Sequence, residues 1–361
     1  MKRSFGMLFI IILLLFFAVP VRANAEDETA SGSCFCTELD GILSDNDIGY
    51  STDELTDMSF SQLSGEVADR VSVRGLPALL GTIILVTVIT AAVRSAGTLS
   101  PSNSDISGTV SVLAAVTVIS PHLFDVMGAS VEAVQTGGAF IAVFIPVFAG
   151  VTAAMGGITS AGIYDMAVLA ASELIVQLTG SLLMPIVRAS VMLSATGSVF
   201  GGEGLGSLVK LIKKLITWTM TVAMTLFSGL LTLKCTLAGK ADGAASKTTR
   251  FVISGLVPVV GGAVNDAYST VRGSIDIVRS SVGTAGCIAV ALIFLPPIIQ
   301  LLLFRAVMWT GAAVGELFSV ESMSELLRSL DAALAIVQAV LVCYGMMFIL
   351  SSAILLQTAG G

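Results

Sequence analysis

The sequence predicts an all-α, polytopic transmembrane protein with a cleavable signal peptide and re-entrant or broken helices. Three observations predict it. Charged residues make up only 12% of the chain, against roughly 25% in ordinary soluble domains, and the mean hydropathy is +0.95. Apolar runs of membrane-crossing length recur along the chain, a hydrocarbon core being about 30 Å thick. Prolines and paired glycines interrupt some of those runs, where backbone groups then need cover from protein or water.

Residues 1–25 read as a signal peptide. Lys2 and Arg3 precede an apolar run from Met7 to Val19, and Ala23-Asn24-Ala25 supplies a small-x-small cleavage site. That run spans roughly 20 Å as helix, short for a bilayer core; an uncleaved anchor helix is the other reading. Either way the following segment, 26–75, is an extracytoplasmic arm. From Glu26 to Asp69 it carries 12 acidic residues and no Lys or Arg, which argues against a nucleic-acid partner. Its later part reads as one or two short amphipathic helices, with Thr52 and Ser59 as caps. Cys34 and Cys36 form a C-x-C without a second ligand pair, so an incidental role outweighs a metal or redox one.

The multi-span helical membrane domain covers 76–357. Apolar runs place spans near Leu76–Val93, Ile106–Met127, Phe140–Ile158, Met166–Phe200, Leu215–Leu233, Val282–Leu303 and Ala332–Leu356. With the arm exported, the first span runs inward. The region after Leu233, with Lys234, Lys240, Lys247, Arg250, Arg272 and Arg279, is then cytoplasmic, as the positive-inside bias expects. The loop with Glu316, Glu321, Glu325 and Asp331 is external. Lys210, Lys213 and Lys214 fall on the wrong side. "SLVKLIKKLI" is therefore read as an interfacial amphipathic helix with snorkelling lysines.

Residues 251–264 pose a separate question. Fourteen residues make roughly 21 Å of helix, short for a crossing. Pro258 removes a helical hydrogen bond and Gly261-Gly262 lets the backbone turn. The segment reads as re-entrant, or as a short helix on the cytoplasmic surface. "IPVFAG" at 145–150 resembles "VPVVGG" at 257–262, the layout of an inverted repeat with broken helices. Pro146, Gly150, Pro258, Gly261 and Gly262 are its candidate pore or packing elements. Asn265 and Asp266 follow as candidate helix caps, and Asp242 and Asp276 flank the segment.

No enzyme signature is present. One histidine, His122, cannot make a His-x-x-x-His metal site. There is no phosphate-binding G-x-x-x-x-G-K-[ST] loop and no G-x-S-x-G elbow. "GGEGLG" at 201–206 follows an apolar helix and reads as a hinge. Gly197-x-x-x-Gly201, Gly202-x-x-x-Gly206 and Gly311-x-x-x-Gly315 have the spacing for close helix approach. Ionisable residues inside spans are costly and merit attention: Glu173, Arg188 and, near an end, Asp165. Glu173 and Gln177 share a helix face. No catalytic, cofactor-binding or metal-ligating residue is expected, and no cofactor.

The stretch "TLKCTLAGKADGAASKTTRFVISGLVPVVGGAVNDAYSTVRGSIDIVRSSVGTAGCIAVALIFLPPIIQLLLFRAVMW", 232–309, resembles the C-terminal half of stage III sporulation protein AE, and "FIPVFAGVTAAMGGITSAG" is similar to that family as well. The resemblance covers most of 75–357 and is most distinctive around 240–275. It implies a multi-pass protein of the mother-cell membrane facing the forespore, a channel or scaffold subunit of the complex between the two cells. Its partners would be other stage III sporulation membrane proteins and membrane lipid, with no nucleic acid. A stand-alone secondary transporter, with substrate near Pro146 and Pro258, is the alternative expectation.

Overall fold

The computed structural model describes residues 49–51, 54, 55, 57–71, 75–96, 102–154, 156–179, 203–256 and 261–358, with isolated positions at 41, 44, 185, 188, 189 and 192. The expected signal peptide and most of the acidic arm lie outside the described residues. Every regular element described is helical: α1 (Phe60–Arg70), α2 (Leu76–Ala96), α3 (Ser102–Ala154), α4 (Ile158–Leu178), α5 (Glu203–Leu256), α6 (Gly261–Leu317) and α7 (Glu321–Thr358). Six of these are long and apolar enough to cross a membrane.

Four helices exceed a single crossing; the shortest of them, α7, has 38 residues, about 57 Å. α3, α5 and α6 have 53, 54 and 57 residues, about 80 Å each at about 1.5 Å per residue. The runs expected as separate spans at Ile106–Met127 and Phe140–Ile158 are one helix, α3, with Pro121 and Pro146 inside it. Proline costs a helix one hydrogen bond, but the flanking apolar residues keep their i→i−4 ladder in a setting that offers the backbone no other partner. The fourth span begins earlier than expected, at Ile158. "SLVKLIKKLI" is helical and runs on into the next span as the first part of α5, because nothing in Thr217–Met220 stops helix propagation. Residues 251–256 end α5, 261–264 begin α6, and 257–260 lie outside the described residues.

Paired contacts fix the register of the bundle. On α2 and α3, Thr90 hydrogen-bonds Ser111, and a methyl group on Gly75 would lie 3.3 Å from His122 Nε2. On α3 and α6, the ring of Phe294 occupies the space beside Gly137 and the ring of Phe144 the space beside Gly286. On α6 and α7, Gly311 faces Leu327 and Gly315 faces Ser324. α3, α6 and α7 thus run side by side for most of their length. α2 flanks one half of that trio; α4 and α5 flank the other.

The two described turns close alike. After α3, Gly156 takes φ +91°, Gly157 N–H donates to Thr152 O at 3.2 Å and Gly156 N–H to Ala153 O at 2.9 Å. After α6, Ser319 takes φ 58°, Val320 N–H donates to Gly315 O at 2.8 Å and Ser319 N–H to Glu316 O at 3.0 Å. Both are Schellman closures, which satisfy the last carbonyls through one left-handed residue.

The core is aromatic where the trio is tightest. Phe140, Phe144 and Phe148 stack along α3 with centroids 5.4 and 5.5 Å apart. Phe348 of α7 meets Phe144 edge-on at 5.4 Å, and Tyr164 of α4 meets Phe148 at 5.7 Å. α1 adds Leu63 and Val67 to the core. Its start is as expected: Gln62 Oε1 accepts from Ser59 N–H at 2.8 Å. The turn before it uses Ser51 and Glu54; Thr52 lies outside the described residues.

Candidate functional site

In a bundle so apolar, the places that carry chemical information are its polar ties. The first joins two helices. Asp242, on α5, reaches the start of α4. Its Oδ1 accepts from Thr159 N–H at 3.2 Å, and its Oδ2 from Ser160 N–H at 2.9 Å and Ser160 Oγ at 2.8 Å. The first N–H groups of a helix lack partners within it. Gly157, the N-cap of α4, has no side chain to offer, so a carboxylate from a neighbouring helix does the capping. The ADG sequence shows the acid but not that its partner is 82 residues away.

The second tie is reciprocal. Tyr164 of α4 bonds Ser352 of α7 at 3.2 Å, and Tyr344 of α7 bonds Ser172 of α4. Both tyrosines are fully buried. The absence of a side chain on Gly138 leaves room at this point: a methyl there would sit 2.7 Å from Val176 Cγ2 and 3.2 Å from the Tyr344 hydroxyl. A buried hydroxyl without a partner is costly, and here each helix supplies one tyrosine and one serine hydroxyl to the two pairs.

The third tie is charged. Arg305 of α6 donates from Nε to Asp331 Oδ1 at 2.6 Å and from Nη1 to Gln338 Oε1, both on α7. Near the α6–α7 turn, Arg328 pairs with Glu316, whose Oε1 also accepts from Ser324 Oγ at 3.2 Å. Arg305 and Arg328 thus pair two of the four acids expected around this turn, Asp331 and Glu316.

The structure scatters the residues singled out from sequence. Pro146 and Gly150 lie on an exposed face of α3, while Phe144, Val147, Phe148 and Val151 face inward. α3 is unbroken at Pro146. Glu173 is exposed and accepts from Gln177 Nε2 at 2.7 Å, the i, i+4 pair expected. Arg188 is an exposed isolated position and Pro258 lies outside the described residues. Gly261, Gly262, Asn265 and Asp266 are in the first turns of α6, where only the backbone is described. Gly311 and Gly315 do allow close approach: a methyl on Gly311 would lie 2.9 Å from Ile83 Cγ2. Among the described residues no three metal-ligating side chains gather.

Comparison with known proteins decides the family. The family model for stage III sporulation protein AE matches residues 39–359. The chain belongs to the stage III sporulation protein AE family. The stage III sporulation protein AE of Bacillus subtilis (strain 168) is 25% identical over 289 residues, which cover 78% of this chain and 71% of that one. No solved structure matches. The sporulation family's match runs through all seven helices, so the Asp242 cap, the Tyr–Ser pairs and the Arg305 tie all fall inside it.

Proposed function

We propose that the protein is a non-enzymatic membrane subunit, a channel or scaffold, of a complex between mother cell and forespore that endospore development needs. The observation that carries this reading is the family match over 39–359, on a chain with six candidate spans. Its polar side chains are spent on tying helices together, as at Asp242, Tyr164, Tyr344 and Arg305. That supports a packed subunit rather than a catalyst. Its partners in this reading are other stage III sporulation membrane proteins and lipid. It sits in the mother-cell membrane facing the forespore, with the acidic arm outside the cytoplasm. The transporter alternative placed its substrate near Pro146 and Pro258; α3 continues through Pro146, and Pro258 lies outside the described residues.

The test is deletion of the gene in a spore-forming source organism, followed by microscopy. Normal vegetative growth with forespores that stall after engulfment is the expected result. Unaffected spores overturn the proposal. Complementation with Glu173→Gln and Arg188→Gln should restore spores; a transporter that used those charges would not be restored.

A further inference from the structure

The bundle is too long for one bilayer. From Ser111, which meets α2, to Thr152, beside the start of α4, α3 runs roughly 60 Å. A hydrocarbon core is about 30 Å thick. Lipid can therefore surround only one of the two tiers, the one flanked by α2 or the one flanked by α4 and α5.

The charges say which. Residues 133–154 of α3, 280–304 of α6, 332–358 of α7 and 215–233 of α5 contain no Asp, Glu, Lys or Arg. Phe144 beside Gly286 and Tyr344 bonded to Ser172 set the α3, α6 and α7 stretches level with one another and with α4. Asp165 and Glu173 are the acids of α4, and the base of the α5 stretch meets Lys234 and Lys240, whose long stems reach the interface. In the other tier 76–93 of α2 and 106–124 of α3 are also free of charge, and the difference lies in what packs on α2. Gly311 brings Ile83, near the middle of α2, together with Leu327 of α7. On either side of Leu327, Glu325 and Arg328 are exposed, with Glu316 and Glu321 exposed close by. Four exposed charges so close together at the level of a helix midpoint, against Glu173 at the depth of Tyr344 in the first tier, do not belong in hydrocarbon.

We infer that α2 does not cross the membrane. The lipid-contacting surface is the belt formed by α3, α4, α5, α6 and α7. α2, the first half of α3 and the α6–α7 turn stand beyond it as a head. Five crossings follow. They place the acidic α1 and the α6–α7 turn on one side, and Lys234, Lys240, Lys247, Arg250, Arg272 and Arg279 on the other, as the positive-inside bias requires. α1, with its polar outer face, joins α2 at the root of the head, where Gly75 meets His122. This placement does not rest on the sporulation reading and survives its failure.

Single cysteines in a chain whose five native cysteines are replaced by serine test it with a membrane-impermeant maleimide. Ser64→Cys on α1, Ser95→Cys at the end of α2 and Phe318→Cys in the α6–α7 turn should all react from one side of the membrane. Lys247→Cys should react only from the other. Labelling of Ser95→Cys and Ser64→Cys from opposite sides means that α2 crosses and overturns the inference. A protease site inserted between Gly97 and Ser100 in the otherwise native chain gives an independent readout. Cleavage from the side that exposes Ser64 is expected; cleavage only from the opposite side overturns the inference.

Discussion

Asp242 shows how much one side chain holds when its neighbours are apolar. It satisfies two backbone donors and a hydroxyl at the start of α4. Asp242→Ala should lower the stability of the detergent-solubilised protein by about 1–2 kcal/mol, the usual loss for a helix cap. Asp242→Asn, which keeps one acceptor oxygen, should lose about half as much; thermal melts compare the two. Gly286 works by absence. The Phe144 ring fills the place of its missing side chain, so Gly286→Ala should cost about 1–3 kcal/mol through overpacking, and adding Phe144→Leu should recover part of the loss. Outside the bundle, Glu66 accepts from Tyr50 Oη at 2.7 Å and from Arg70 Nε at 2.9 Å. These bonds, Tyr50's first, hold its carboxyl below the usual carboxylate range and push the Tyr50 hydroxyl up. A depressed carboxylate stabilises the fold above its unfolded pKa of about 4.3 and loses that contribution as pH falls through the folded value. Met58, half-buried beside α1, should become more readily oxidised by hydroxyl radicals as pH drops below about 4. Tyr50→Phe should weaken that dependence.

At the scale of elements, the two turns are one device made with different residues. Glycine takes the left-handed position after α3; Ser319 takes it after α6. A non-glycine residue there is strained by roughly 1 kcal/mol. Ser319→Gly should therefore leave stability unchanged or raise it by up to about 1 kcal/mol, whereas Gly156→Ala should lower it by a similar amount; paired melts of the variants read the sign. The helices themselves were legible, because apolar runs without strand alternation leave little else to form. Their ends were less so. Hydropathy divides α3 at Pro121 and again before Phe140, where the polar residues His122, Asp125 and Glu132 interrupt the run. A helix needs only that its backbone bonds continue, and those residues turn outward or sideways without stopping it. The Gly311-x-x-x-Gly315 spacing pointed to a real approach. Gly137, Gly138 and Gly286 did not stand out among 36 glycines, since what marks them is an aromatic ring or a hydroxyl on another helix.

For the whole molecule, composition alone settled the solvent. The protein should remain in the membrane pellet after alkaline carbonate washing and leave it only with detergent; release by carbonate would mean that the apolar helices are covered by protein instead of lipid. The family was legible too, since the residues around 240–275 carried it, and the match extends over 39–359. The polar ties were not. Tyr164 and Ser352 are 188 residues apart, Arg305 and Asp331 are 26, and nothing local in either segment announces the other. Nor did the acidic residues around the α6–α7 turn show that two of them, Glu316 and Asp331, pair with Arg328 and Arg305.

The interlock of α3 with α6 has a mechanical meaning. Phe294 set into the gap at Gly137 and Phe144 into the gap at Gly286 act as two pegs driven in opposite senses through parallel rods. Neither rod slides along the other without both rings leaving their seats. A push along either helix is therefore shared with the other at these two seats, and the pair moves together there.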